Sequence, residues 1–264
     1  MNARRIAAVL LSVLAVAVPG CGERSPEAAA TPEALSIEVL NRVPHDPDAF
    51  TQGLVFDDDG RLFESVGLLG RSSVREVDVA TGDVLREQPL SSDEFGEGLA
   101  IGPEGLVQLT WQSGVARRWS TDGLEARGTF TYSGEGWGLA FDGDAFLQSD
   151  GSAMITRRDD VTFEEIDRIE VTRDGVPVDE LNELEWVDGV LFANVWHSDE
   201  IMRIDPTTGV VTGVIDGSRL WTASERTSEM TLNGIAHRQG DDIDRLWVTG
   251  KQWPEMFEVK VVSP

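Results

Sequence analysis

The chain has 264 residues, 47 of them acidic and 22 basic, for a formal net charge of −25. A nucleic-acid binder carries a basic face, and this sequence has no basic cluster, which excludes nucleic acid as a partner. Cys21 is the only cysteine, so no intramolecular disulfide exists and the fold must rest on its core.

Residues 1–20 read as a lipoprotein-type signal peptide. Arg4 and Arg5 precede the apolar run 6–18, and Val18-Pro-Gly-Cys21 places the lone cysteine where a bacterial lipoprotein carries its lipid. The run is shorter than the ~20 apolar residues of a membrane span. Plain secretion with an incidental cysteine is the other reading of this segment. Residues 21–35 are polar and rich in Pro and Ala, without strand alternation, and read as a flexible tether. An exported protein is therefore expected, held at the bacterial cell envelope by lipid on Cys21. The remaining residues, 36–264, suit one all-β domain.

Within that domain a short run recurs: Gln52-Gly-Leu-Val-Phe, Glu97-Gly-Leu-Ala-Ile, Trp137-Gly-Leu-Ala-Phe, Asn182-Glu-Leu-Glu-Trp and Asn233-Gly-Ile-Ala-His. The leading residues lie 45, 40, 45 and 51 positions apart. A period of about 40–50 residues built from short strands is the signature of a β-propeller, one four-stranded blade per repeat. After a Gly- and Asp-bearing turn comes a second apolar strand, expected at 62–67, 106–111, 145–150, 191–196 and 246–251. Third and fourth strands are expected around turns such as Thr81-Gly82, Thr121-Asp-Gly123 and Pro206-Thr-Thr-Gly209. The fifth repeat lacks a fourth strand, while the strand-like run 36–43 is unassigned. Inserting that run beside the last strand would remove two exposed sheet edges. The expectation is thus a five-bladed β-propeller whose last blade is closed by the N-terminal strand, with 216–230 as a surface loop or short helix.

In such a blade the start of the first strand and the end of the second lie on one face. Superposing the repeats gives two rings: Gln52, Glu97, Trp137, Asn182 and Asn233, then Gly67, Trp111, Asp150, Trp196 and Lys251. Aromatics, amides, two acids and one lysine form a mixture that suits a ligand pocket better than a structural ring. Lys251 is conspicuous because the chain has two lysines and 20 arginines, and a compact ammonium differs from a planar fork. No Gly-x-Ser-x-Gly elbow, phosphate loop or His-Glu-x-x-His is present, and His45, His197 and His237 are widely separated. No metal or cofactor is expected.

Nine motifs in order, from Phe50-Thr-Gln-Gly-Leu54 and Phe95-Gly-Glu-Gly-Leu99 through Leu109-Thr-Trp111, Glu135-Gly-Trp-Gly-Leu139, Ser149-Asp-Gly-Ser152, Asn182-Glu-Leu-Glu-Trp186, Asn194-Val-Trp196 and Leu232-Asn-Gly-Ile235 to Thr249-Gly-Lys-x-Trp-Pro254, resemble the glutamine cyclotransferase family. The resemblance spans about residues 44–262. It implies a five-bladed propeller in which the α-amine of an N-terminal glutamine attacks its own side-chain amide, forming pyroglutamate and releasing ammonia. The matching glutamate, Glu97, would handle the protons. Gln52, Asn182 and Lys251 would bind and polarise the substrate, and Phe50, Phe95, Trp111, Trp137 and Trp196 would form the pocket. The partners implied are peptides or proteins with N-terminal glutamine, acted on by a monomer. Two alternatives stay open on the residues alone. One is a metal-dependent propeller lactonase or hydrolase, with Glu97, Asn182 and Asp150 as ligands; the other is a non-enzymatic cell-surface binding propeller.

Overall fold

The computed structural model describes residues 31–222, 224 and 226–264, so the signal segment and Cys21 lie outside the described residues. The first strand is β1 (Glu33–Pro44). Three antiparallel four-stranded meanders follow. They are β2 (Thr51–Phe56), β3 (Leu62–Val66), β4 (Ser73–Val77) and β5 (Val84–Pro89); β6 (Gly96–Gly102), β7 (Gly105–Thr110), β8 (Val115–Trp119) and β9 (Ala126–Thr131); and β10 (Leu139–Phe141), β11 (Ala145–Gln148), β12 (Met154–Asp159) and β13 (Glu165–Glu170). A small hairpin, β14 (Thr172–Arg173) and β15 (Val176–Pro177), precedes a fourth meander of β16 (Leu181–Val187), β17 (Val190–Val195), β18 (Glu200–Ile204) and β19 (Val211–Asp216). The last strands are β20 (Leu232–Ala236), β21 (Arg245–Gly250) and β22 (Glu255–Val262). Among the described residues the segment between β19 and β20 carries no strand, and its Leu220 is buried in the core.

β1 completes the last sheet. It runs antiparallel to β22 from Ser36↔Val262 to Pro44↔Glu255, so the outer edge of β22 is covered. The strand also begins earlier than the sequence suggested. Glu33–Leu35, expected within the tether, pair in parallel with Gly213–Ile215 of β19. Leu35 is the physical reason: its side chain is buried in one apolar cluster with Ile215, Phe257 and Val259. The parallel pairing joins the fourth and last sheets into one eight-stranded sheet, in the order β16-β17-β18-β19-β1-β22-β21-β20.

The core consists of apolar layers between neighbouring sheets. Val55, Phe63 and Val74 meet Leu99, Leu106 and Trp119 between the first and second sheets. Leu109 and Ala116 meet Leu139, Phe146 and Phe163 at the next junction. Leu147 and Ile155 pack on Leu184, Leu191 and Met202, and Phe192 and Ile201 pack on Ile235, Leu246 and Phe257. The circuit closes where Val43, Trp247 and Met256 meet Leu54, Phe56 and Leu62.

At the centre β2 contacts β6, β6 contacts β10, β10 contacts β16, β16 contacts β20, and β20 returns to β2. This crowding explains the recurring glycine. A methyl on Gly53 would stand 2.5 Å from the Leu99 amide nitrogen, and one on Gly98 would stand 2.5 Å from that of Leu139. Gly138 lies closer still, under the Asn182 carbonyl. The fourth repeat breaks the rule, with Glu183 where the others have glycine. Its fully buried carboxyl accepts the Leu54 amide at 3.3 Å and the Ile235 amide at 2.9 Å, linking β16 to β2 and β20.

Candidate active site

Four of the five leading residues of the repeats sit at a disturbance of the ladder. Register shifts fall between Thr51 and Gly53, Gly96 and Leu99, Leu181 and Leu184, and Leu232 and Ile235. A bulge leaves a residue unpaired and re-aims its side chain, which frees Gln52, Glu97, Asn182 and Asn233 from strand alternation. Trp137 lies just ahead of β10. Trp111, Trp196 and Lys251 each stand one residue beyond the end of β7, β17 and β21.

One cavity of about 410 Å³ gathers Phe50, Gln52, Phe95, Glu97, Trp111, Trp137, Asn182, Trp196 and Lys251. All nine residues predicted for the pocket therefore line the same space. Phe50 meets Phe95 edge-on at 6.0 Å between ring centroids, and Phe95 meets Trp111 at 5.9 Å. On the other side Trp137 meets Trp196 at 5.5 Å with planes 88° apart. Trp111 is 38% exposed and marks the mouth, whereas Gln52, Glu97, Asn182 and Lys251 are buried.

The polar groups differ in how they are held. Gln52 Oε1 accepts from Asn233 Nδ2 at 3.2 Å, and the same Nδ2 donates to the Thr51 carbonyl at 2.9 Å. With its oxygen engaged, Gln52 keeps its N–H donors for the cavity. The Asn182 carbonyl accepts from Ser149 Oγ at 2.7 Å, while its side-chain Oδ1 is buried without a partner. The Lys251 ammonium lies 4.9 Å from the centre of the Phe50 ring.

Burial pushes the Glu97 carboxyl well above the usual carboxylate range, Lys251 opposing the shift and Glu135 adding to it. Burial also pulls the Lys251 ammonium down to about 8, against the attraction of Glu97 and Glu229. A carboxyl and an amine both biased toward neutrality can exchange protons with a substrate near neutral pH.

Three ring positions fall outside the lining. Asn233 stands behind Gln52 and orients it. Gly67 lies under the Phe95 ring, where a methyl would collide. Asp150 turns away to accept from the Ser152 amide at 3.1 Å and the Ser152 hydroxyl at 2.6 Å. Among the described residues no three His, Cys, Asp or Glu side chains are grouped to hold a metal ion. Leu68, Glu229 and Gln252 complete the wall and were not anticipated. They come from loops, and Leu68 and Gln252 take positive φ values of 85° and 59°, outside any strand periodicity.

The sequence profile described as glutamine cyclotransferase matches residues 11–261. The chain belongs to the glutamine cyclotransferase family. It is 41% identical over 229 residues to a glutaminyl-peptide cyclotransferase of Arabidopsis thaliana, covering 85% of this chain and 71% of that protein. It also superposes on the crystal structure of Myxococcus xanthus glutaminyl cyclase with a TM-score of 0.82 at 38% identity, covering 88% of this chain and 99% of that one. The two relatives share its family and agree in the name of their activity.

Proposed function

We propose that this chain is a glutaminyl-peptide cyclotransferase, converting N-terminal glutamine of peptides or proteins to pyroglutamate with release of ammonia. The observation that carries the reading is the convergence of Glu97, Lys251, Gln52 and Asn182 inside one aromatic cavity. The four-stranded units around the circuit of first strands are read as the blades of a five-bladed β-propeller, the last closed by β1.

The reaction is intramolecular, so much of the barrier is conformational. An extended glutamine side chain must fold until its α-amine faces its own amide carbon. The walls of Phe50, Phe95, Trp111, Trp137 and Trp196 favour such a compact conformer. Gln52 donors and the unpartnered Asn182 oxygen then fix the amide and amine groups of the substrate. As the neutral amine attacks the side-chain carbonyl, negative charge grows on the carbonyl oxygen, and the Lys251 ammonium stabilises it. The attacking nitrogen must lose a proton and the leaving nitrogen must gain one. The attack itself closes the ring; Glu97 moves that proton, and collapse of the tetrahedral intermediate re-forms the carbonyl of the lactam and expels ammonia.

The lipoprotein reading of residues 1–21 is kept as a proposal: lipid on Cys21 tethers a monomeric catalytic domain to the cell envelope. The decisive assay incubates the purified protein with a short Gln-initiated peptide. Loss of one ammonia by mass, matched by ammonium released, is expected. A folded protein that leaves the peptide mass unchanged would overturn the reading.

A further inference from the structure

Glu135 lies in the segment between β9 and β10 and is not a member of either ring. Its side chain nevertheless reaches two walls of the cavity. A single oxygen, Oε2, accepts the indole N–H of Trp111 at 2.7 Å and that of Trp137 at 3.0 Å. The other oxygen accepts from Gln112 Nε2 at 2.8 Å. The Glu135 carbonyl accepts from Gln148 Nε2 at 2.9 Å, so the backbone carrying this carboxylate is itself held. Trp111 follows β7 of the second sheet and Trp137 precedes β10 of the third, so no shared strand sets one ring relative to the other.

We infer that Glu135 is a positioning residue for cyclisation: its carboxylate pins the Trp111 and Trp137 indoles in the orientation that folds the glutamine side chain. This rests on the cyclotransferase reading of the cavity. Hydrogen bonds to an ionised acceptor are shorter and stronger than neutral ones, and the carboxylate has lone pairs for all three donors. Burial would raise the Glu135 carboxyl, but the donors from Gln112, Trp137 and Trp111 leave it lowered, so the acceptor remains an anion. The indole faces matter because Trp137 also stands edge-on to Trp196, and Trp111 to Phe95. Releasing the two N–H groups would loosen rings on both sides of the pocket. A small misplacement of positioning groups costs as much as about 10²-fold in rate.

The test compares Glu135→Gln and Glu135→Ala with the wild type by steady-state kinetics and near-ultraviolet circular dichroism, with thermal unfolding as the check of folding. The alanine variant should lose about 10- to 100-fold in kcat, with KM changed far less, and its tryptophan signal should change without substrate present. The glutamine variant keeps one acceptor oxygen and should fall between. With Trp111 and Trp137 both replaced by Phe, no indole N–H remains for Glu135 to accept, and Glu135→Ala should then have a far smaller effect on kcat, what is left reflecting the loss of its charge beside Glu97. A kcat within two-fold of wild type with an unchanged spectrum would overturn the assignment, as would an undiminished effect in the double-Phe background. If the alanine variant fails to fold, the glutamine variant decides by the same two readouts. A wild type that releases no ammonia, with the spectral change still present in the variants, would instead remove the cyclotransferase reading and leave the indole clamp standing.

Discussion

Burial drives the two buried ionisable groups of the cavity toward their neutral forms, Glu97 upward and Lys251 down to about 8. A proton held on Glu97 near neutrality is what a leaving amine needs, and the vacated carboxylate can then collect one from the attacking nitrogen. Glu97→Gln is expected to lower kcat about 10²- to 10⁴-fold while calorimetry shows peptide binding retained, since the amide is nearly isosteric. Turnover within a few-fold of wild type would remove Glu97 from the mechanism. Lys251→Met deletes the charge and should cost about 10²-fold in kcat, as for a lost oxyanion donor. Lys251→Arg separates charge from shape. The substrate amine must be neutral, with an ordinary pKa of about 7.7–8.0, so kcat/KM rises with pH until Lys251 deprotonates near its own value of about 8. Arginine stays charged, so its variant should be slow but lack the alkaline decline. A bell unchanged by the substitution would assign that limb to another group. Seven of the nine wall and polar residues were legible because they occupy one of two equivalent places in a repeat, whereas Phe50 and Phe95 were legible only through the family resemblance. Glu135, Glu229 and Gln252 were not, because they stand in connecting segments where the period carries no information. Superposition also misplaced Asn233 and Asp150: equivalent backbone positions need not send their side chains to the same space.

The strands themselves were legible from paired apolar runs around Gly- and Asp-bearing turns. Between third and fourth strands an aspartate caps the turn, as Asp78 Oδ1 does by accepting the Ala80 and Thr81 amides, each at 2.9 Å. The same device recurs at Asp159 and Asp205. Strand ends were the weaker reading, since each second strand stops before the ring residue expected to end it. The hairpin of β14 and β15 is too short for alternation to show. Glu183 is the element-scale feature whose role emerged only in three dimensions. A charged residue in place of a repeated glycine looks like sequence drift, yet it ties three inner strands together. Glu183→Ala would leave the Leu54 and Ile235 amides buried without acceptors, at about 1–3 kcal/mol each. Chemical denaturation should show a loss of that order, and Glu183→Gln, which retains an acceptor oxygen, should lose less. An alanine variant as stable as wild type would mean that other groups satisfy those amides.

The molecule as a whole combines a net charge of −25 with several buried carboxyls. The charge keeps the surface away from nucleic acid and is no obstacle to a substrate with a cationic N-terminus. If lipid anchors the chain, Cys21→Ser should release it from membranes with kcat intact, because Cys21 precedes the first described strand. Unchanged partitioning in cell fractions would rule out that anchor.

The buried acids make a further whole-molecule prediction about pH. Glu183 and Glu185 are both held above the usual carboxylate range by burial, Glu185 at about 8, with the amides of Ile235 and Leu54, and of His237, only partly offsetting it. An acid whose folded pKa is raised binds its proton more tightly in the native state. The native state therefore loses stability as pH climbs from the unfolded value, about 4.3, through the folded one. His45 acts in the same direction. Burial alone would lower it, but the Glu64 carboxylate 3.0 Å away leaves it raised, so its contribution is full below about 6.5 and is lost as pH rises through its folded value. Glu64 itself is lowered, against burial, by Arg75 and His45, and its contribution disappears only in strong acid. Glu183 and Glu185 act together between about pH 5 and 8, His45 joins them above about 6.5, and rising charge repulsion adds to them. Tm should therefore climb as pH falls from 8 toward 5. Glu185→Gln removes that group's titration, and with it the repulsion by which Glu185 helps to raise Glu183, while its amide oxygen can still accept the His237 amide that Glu185 Oε1 holds at 2.6 Å. The variant should match wild type near pH 5, exceed it at pH 8, and flatten the curve between. Parallel Tm curves for the two proteins would show that Glu185 is no source of the alkaline loss.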